Sequence, residues 1–463
     1  MHYVSTRGGV EPVGFADAVM MGLGTDGGLL IPQTIPRIHA GQLREWSELR
    51  FQDLAVEVMA PFVAETIPRS DLIDLVNESY ATFSHHEVTP LVRLGDLHIL
   101  ELFHGPTAAF KDVALQFLGN VFEYLLERSG GRLNILGATS GDTGSAAIAG
   151  VRGKDRIHIF ILHPLGRVSP VQERQMTTVL DANVHNLAIR GTFDDGQRIV
   201  KSLFNDLDFK REYHLGAVNS INWARILAQM VYYFYAWGRL SGGDAAHRLS
   251  FSVPTGNFGD VFAGYMAKRM GLPVDRLIIG TNRNDILARF VHTGVYEAGE
   301  VHPTLSPAMD IQIASNFERY LYFLAGRDAS AVRALLQDMG SRGRMVIDEA
   351  MRARVTEDFD ARAVSDEETL EQIRAVHARD GYILCPHTAI GVRAAAGRPD
   401  TVCLATAHPA KFNEAVVRAI GLEAPPPPSL RGLMDQETRC AELEASEVAV
   451  RAHIRDTLSR AAG

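Results

Sequence analysis

The stretch Leu249-Ser250-Phe251-Ser252-Val253-Pro254-Thr255-Gly256-Asn257-Phe258-Gly259-Asp260-Val261-Phe262-Ala263-Gly264 reads as an apolar strand, a glycine-bearing turn and the start of a helix. Two glycines around Asn257 and Phe258 let the backbone curl so that successive amides converge, as a phosphate group requires. The plainer account is a capped helix with Asp260 in its first turn, where a carboxylate suits the positive end of the dipole. The same order of parts recurs upstream. An apolar run at 133–136 leads through Gly137-Ala138-Thr139-Ser140-Gly141-Asp142-Thr143-Gly144 into a small-residue helix at 145–149. Hydroxyls, glycines and a helix start there suit a carboxylate, and the alternative is an ordinary N-cap by Ser140 or Thr143.

Outward from these two segments, further short apolar runs at 157–162, 184–189, 277–279, 382–384 and 402–405 are separated by helical stretches. That rhythm implies βαβ units and mostly parallel sheets covered by helices on both faces. Residues 11–90 read as amphipathic helix broken at Pro32, Pro36, Pro61, Pro68 and Pro90. The run 130–220 reads as a compact insertion in a larger α/β domain. Within the N-terminal region, Gly22-Leu23-Gly24-Thr25-Asp26-Gly27 satisfies the glycine spacing of a dinucleotide fingerprint, but a helix rather than a strand precedes it, so it reads as a turn. The aromatic run 230–237 reads as a buried helix. Pro425 to Pro428 is a stiff polyproline run before a last helix at 440–460.

Composition sets limits on function. The 463 residues suffice for about three domains at the usual ~150 residues each, and 46% hydrophobic with 22% charged residues is globular. A formal net charge of −9 leaves no diffuse basic field for nucleic acid or an anionic membrane, so any bound anion must be held locally. No stretch approaches the ~18 apolar residues of a membrane span. Cys385, Cys403 and Cys440 form no zinc spacing or disulfide framework, which fits a reducing cytoplasm. Seventeen histidines are present, yet no His-Glu-x-x-His occurs. His85-His86-Glu87 reads as a loop, His104 and His408 as groups that position backbone, and no metal is expected.

The candidate reactive group lies in Phe103-His104-Gly105-Pro106-Thr107-Ala108-Ala109-Phe110-Lys111-Asp112, ahead of a helix at 113–126. Apolar neighbours and the positive end of a helix disfavour an ammonium, which would free the Lys111 amine as nucleophile or base. A solvated lysine at a helix start is the competing account.

These segments, with Tyr3-Val4-Ser5-Thr6-Arg7-Gly8, Asp26-Gly27-Gly28-Leu29, Asn219-Ser220-Ile221-Asn222-Trp223-Ala224-Arg225 and Ala405-Thr406-Ala407-His408-Pro409-Ala410-Lys411-Phe412, run collinearly through nearly the whole chain. In this the chain resembles the threonine synthases of bacterial and fungal type, pyridoxal-phosphate enzymes of the tryptophan-synthase-β-like fold, or fold type II. The resemblance implies two parallel-sheet α/β domains plus a mainly helical N-terminal region. The expected divisions are 1–92 for that region, 93–130 with 225–424 for a large cofactor domain, 131–224 for a small domain, and 425–463 for the linker and last helix.

The resemblance further implies that Lys111 carries pyridoxal 5'-phosphate, that Gly256, Asn257, Phe258, Gly259 and Asp260 cradle its phosphate, and that Thr406 faces its ring nitrogen. Thr139, Ser140, Gly141, Asp142 and Thr143 would take the α-carboxylate of O-phospho-L-homoserine. Ser220, Asn222, Arg225 and Lys411 are the candidates for its distal phosphate, with Arg225 equally readable as a surface arginine. The implied reaction forms L-threonine and phosphate. A serine/threonine dehydratase or a phospholyase of the same fold is the alternative, and a non-catalytic scaffold is disfavoured because the lysine is present. The oligomeric state stays open between monomer and dimer.

Overall fold

In the computed structural model, which describes residues 1–461, the apolar run that opens the quoted stretch is the strand Leu249–Pro254. It is a central strand of a six-stranded sheet ordered Phe359–Ala363, Val274–Thr281, Leu249–Pro254, Thr401–Ala405, Leu97–Glu101, Leu91–Leu94. The first five run parallel to their neighbours, and only Leu91–Leu94 is antiparallel. Thr401–Ala405 is buried throughout and Leu249–Pro254 nearly so, as expected of strands covered on both faces. Cys403 is level with Ser252 and Ala405 with Glu101, so three adjacent parallel strands end at one edge.

This sheet belongs to a unit made of Met1–Ala114 and Ser220–Pro425. The aromatic run 230–237 lies in the helix Trp223–Ser241, which is buried from Trp223 through Gly238. The N-terminal region contributes the helices Phe15–Met21, Ala40–Ser47, Phe51–Val63 and Arg69–Tyr80, and also an antiparallel pair, Tyr3–Ser5 with Leu30–Pro32. Gly22 caps the end of Phe15–Met21, and Gly24 and Gly27 close a turn behind it.

The second unit is Leu115–Asn219 with the chain from Pro426 onward. Its five-stranded sheet is wholly parallel, in the order Ala441–Glu444, Val184–Arg190, Ile157–Pro164, Leu133–Ala138, Leu215–Gly216. Leu136, Phe160, Leu162 and Leu187 pack there with Ile199 and Leu203 and with Val450 and Ile454 from the helix Glu447–Ala461.

Several expectations change. The unit boundaries fall at 114/115 and 219/220 rather than at 130/131 and 224/225, and the helix Lys111–Ser129 crosses Asp142–Val151 at Leu115 and Gly119. A Cβ on Gly119 would lie 1.9 Å from the carbonyl oxygen of Gly150, so that crossing has no room for a methyl group. The chain after 425 is no appended helix: Ala441–Glu444 is a sheet strand and the helix starts only at Glu447. The run 382–384 forms no strand, since it leads into a helix opened by Cys385 and Pro386. Residues 219–222 form a loop, and the helix begins at Trp223. Among the described residues no helix is long and apolar enough to cross a membrane.

Candidate active site

Lys111 is delivered by the segment that leaves the strand Leu97–Glu101. Leu102 N–H donates to Ala405 O at 3.0 Å, Phe110 N–H to Thr406 O at 2.8 Å, and His408 N–H to Ala108 O at 3.0 Å. The segment is thereby laced to the end of the neighbouring strand, with Ala108 in the left-handed region at φ 55°. Asp112 is fully buried and accepts from Thr107 N–H at 2.9 Å and Thr107 Oγ1 at 2.6 Å. Burial pushes its carboxyl up to about 6, against the pull of those hydrogen bonds and of the Lys411 ammonium. Lys411, expected at the substrate phosphate, donates from Nζ to Thr107 O at 2.8 Å and so helps to fix this same segment. Lys111 itself is only 8% exposed, with its amine 5.3 Å from the Phe110 ring centre. That burial sets aside the solvated account.

The next strand but one leads into a loop and an open helix start. Beyond Leu249–Pro254, Thr255 N–H donates to Gly280 O at 2.8 Å and Asn257 O accepts from Asn316 N–H at 3.0 Å. Phe258 stands in the left-handed region at φ 65° as the residue before the helix Gly259–Met270, and no side chain caps that helix start. Its ring is held edge-on by Phe317 at 5.2 Å. A Cβ on Gly256 would approach Ala308 O to 2.7 Å, so only glycine fits. Asp260 differs from its neighbours. Its Oδ1 accepts from Tyr232 Oη at 2.6 Å and Tyr233 Oη at 3.0 Å, and burial pushes its carboxyl up to about 6.

Of the candidates at 220–225, Asn222 is engaged at both ends of its amide. Oδ1 caps the helix through Ala224 N–H at 3.1 Å, and Nδ2 donates to Val19 O at 2.8 Å. This leaves it a structural cap rather than a ligand. Arg225 is no surface arginine: it is 4% exposed, with Nε and Nη1 buried and unpartnered. Burial pushes its guanidinium down to about 10. A buried cation with idle donors is costly unless an anion meets it. Asn219, the first residue of the motif at 219–225 and not one of the named phosphate candidates, likewise has a buried Oδ1 without a partner. Glu101 was also missed: it accepts from Tyr382 Oη at 2.6 Å and lies 2.7 Å from His104 Nε2 at the end of its strand.

In the second unit, the strand Leu133–Ala138 leads to the helix Asp142–Val151. The N-cap position falls on Gly141 rather than on Ser140 or Thr143, and Thr139 Oγ1, two residues earlier, accepts from Gly141 N–H at 3.0 Å and Gly144 N–H at 2.9 Å. Gly141 has φ 151°, and a Cβ there would strike the Gln172 amide at 2.4 Å. The same amide donates to Asp142 Oδ1 at 2.7 Å. Ser140 is exposed and Thr143 half-buried.

An enclosed lysine amine, an uncapped helix start and a neighbouring hydroxyl residue, Thr406, form a donor set that fits pyridoxal phosphate, and the idle Arg225 donors fit a second anion. Residues 2–80 match the family description "Threonine synthase N terminus", 82–337 "Pyridoxal-phosphate dependent enzyme", and 388–454 "Threonine synthase, C-terminal". The chain is 49% identical to a threonine synthase of Pseudomonas aeruginosa, covering 98% of both chains, and 50% identical to that of Saccharomyces cerevisiae, covering 90% and 89%. Among solved structures, a pyridoxal-phosphate-bound threonine synthase from Brucella melitensis superposes with a TM-score of 0.96 at 49% identity, covering 99% of each chain. The Escherichia coli threonine synthase gives 0.82 at 33% identity, covering 98% of this chain and all of that one.

Proposed function

The chain belongs to the threonine synthase family, and from that membership we propose that it converts O-phospho-L-homoserine and water to L-threonine and inorganic phosphate with pyridoxal 5'-phosphate as cofactor. The observation that carries this reading is the shared edge of three adjacent parallel strands, whose ends lead to Lys111, to the loop 255–259 and to Thr406. Ligand sites in such sheets lie at the carboxyl ends of the strands.

In this reading Lys111 carries the cofactor, the main chain of 256–260 holds its phosphate, and Thr406 stands at its ring nitrogen. A neutral hydroxyl there would leave that nitrogen unprotonated or only weakly protonated. When bound, the cofactor supplies a sink for negative charge developing on the substrate carbons. Lys111 Nζ takes the proton from Cα and later returns it, which its confinement near the substrate favours. Arg225 and Ser220 would hold the distal phosphate, which leaves Cγ with the C–O bonding pair as Cβ gives up a proton. Cγ then gains a proton, and water adds its hydroxyl at Cβ while its remaining proton goes to the released phosphate. In the second unit taken by itself, the helix start that Thr139 and Gly141 shape has backbone N–H groups that suit a carboxylate. Three free cysteines, two of them buried, support a cytoplasmic setting.

The test is Lys111→Ala. Purified protein should lose the visible absorbance of bound cofactor on dialysis, and threonine formation should fall by at least about a thousandfold. Retention of both would overturn the assignment. Product analysis with phosphohomoserine separates this reading from a dehydratase or phospholyase: threonine supports it, and 2-oxobutyrate does not.

A further inference from the structure

Arg319 is entirely buried and ties together the segments that flank both anion sites of the first unit. Its Nε and Nη2 donate to Leu30 O at 3.2 and 2.9 Å, Nη2 also to Ile221 O at 2.6 Å, and Nη1 to Asn316 Oδ1 at 2.5 Å. Asn316, equally buried, extends the connection. Its Nδ2 donates to Ser220 O at 3.0 Å and its main-chain N–H to Asn257 O at 3.0 Å. The adjoining Ser315 Oγ donates to Asn257 Oδ1 at 3.2 Å.

An apolar side chain would fill such a space at lower cost than a guanidinium, which burial here pushes down to about 9. The nearby carboxylate, Glu318, is itself taken up by Arg7 at 2.8 Å. What an apolar residue cannot supply is a fixed separation between carbonyls of different segments. Arg319 supplies that for Leu30 and Ile221, and Asn316 for Ser220 and Asn257. The N-terminal strand pair, through Leu30, thus reaches the loop that precedes Arg225.

We propose that Arg319 and Asn316 are positioning residues that set the Ser220–Ile221 backbone against the Asn257 loop and so select a phosphate ester over an unphosphorylated amino acid. This rests on the reading that Ser220 and Arg225 meet the substrate phosphate. Both residues act through backbone and touch no substrate atom.

The experiment uses holoenzyme of the wild type and of Asn316→Ala, Arg319→Met and Arg319→Lys, with Asn316→Ser as a milder change. Cofactor absorbance counts intact sites. Inorganic phosphate and L-threonine serve as competing ligands with and without a phosphate group. Asn316→Ala should raise KM for phosphohomoserine and the inhibition constant of phosphate about tenfold, while the constant for threonine moves less than about twofold. Arg319→Lys, which keeps a charged donor, should recover part of the phosphate affinity lost in Arg319→Met. Parallel weakening of phosphate and threonine, unchanged constants, or loss of cofactor in the mildest variant would each overturn the proposal. If the wild-type protein formed no threonine, the functional reading alone would fail, because phosphate affinity would still judge the brace.

Discussion

Asp260 shows how far burial reshapes a single acid. Its carboxyl is pushed up to about 6 from an ordinary 3.8, while Tyr232 and Tyr233 donate to it. A raised folded pKa means the folded state binds the proton more tightly, so its contribution is full below about 3.8 and is lost as pH rises through about 6. A rise of that size is worth at most about 3 kcal/mol. Asp112 is raised for the same reason, and His408 is pushed down to about 4 by burial and works in the opposite sense. Both are common to wild type and Asp260→Asn, so they cancel in the difference. Denaturant titrations should show Asp260→Asn gaining on the wild type by up to about 3 kcal/mol between pH 4 and 7; a difference flat in pH would refute the raised carboxyl. Lys411 poses a separate question. With Nζ on Thr107 O, Lys411→Met should lower kcat about tenfold or more through misplacement of Lys111 and change KM less than about threefold. A rise in KM alone would return Lys411 to the substrate phosphate. The neighbours of Lys111 in the chain left it open between an enclosed amine and a solvated one, while the partner of Lys411 lies 304 residues away, where no local pattern could have named it.

At the scale of elements, the strand–turn–helix unit at 249–270 depends on a residue with no side chain. Gly256→Ala places a methyl group 2.7 Å from the Ala308 carbonyl oxygen, and backbone must shift to relieve it. Cofactor affinity, followed by absorbance titration, should fall about tenfold or more, because converging amides tolerate little displacement. An unaltered affinity would place the phosphate elsewhere. This unit was readable because its apolar run, glycines and helix start are contiguous. Other elements were not. Leu91–Leu94 and Leu97–Glu101 carry Arg93 and His98, which broke the apolar pattern of a buried strand. Apolar content suggested a strand at 382–384, but Pro386 at the first helical turn commits that segment to a helix start. Ala441-Glu442-Leu443-Glu444 alternates with the period of a half-buried strand, a signal that a single helix drawn from 440 to 460 overrode.

At the scale of the whole molecule, the second unit is completed only by the end of the chain. Ala441–Glu444 extends its sheet beside Val184–Arg190, and Val450 and Ile454, both without exposure, fill its core against Ile199 and Leu203. The polyproline run at 425–428 therefore precedes a structural part of that unit, and not a loose tail. A net charge of −9 gives no general attraction for anions, so any anion the chain binds has to be held locally. Ile454→Ala in the full chain removes buried methyl groups and should cost about 2–5 kcal/mol. Units of a protein open separately when their cores are separate. Hydrogen exchange should therefore lose protection in Leu133–Ala138, Ile157–Pro164 and Val184–Arg190, while Leu249–Pro254 and Thr401–Ala405 keep theirs. Equal loss in both sets of strands would mean that the two units unfold as one, and that the C-terminal helix stabilises the entire chain.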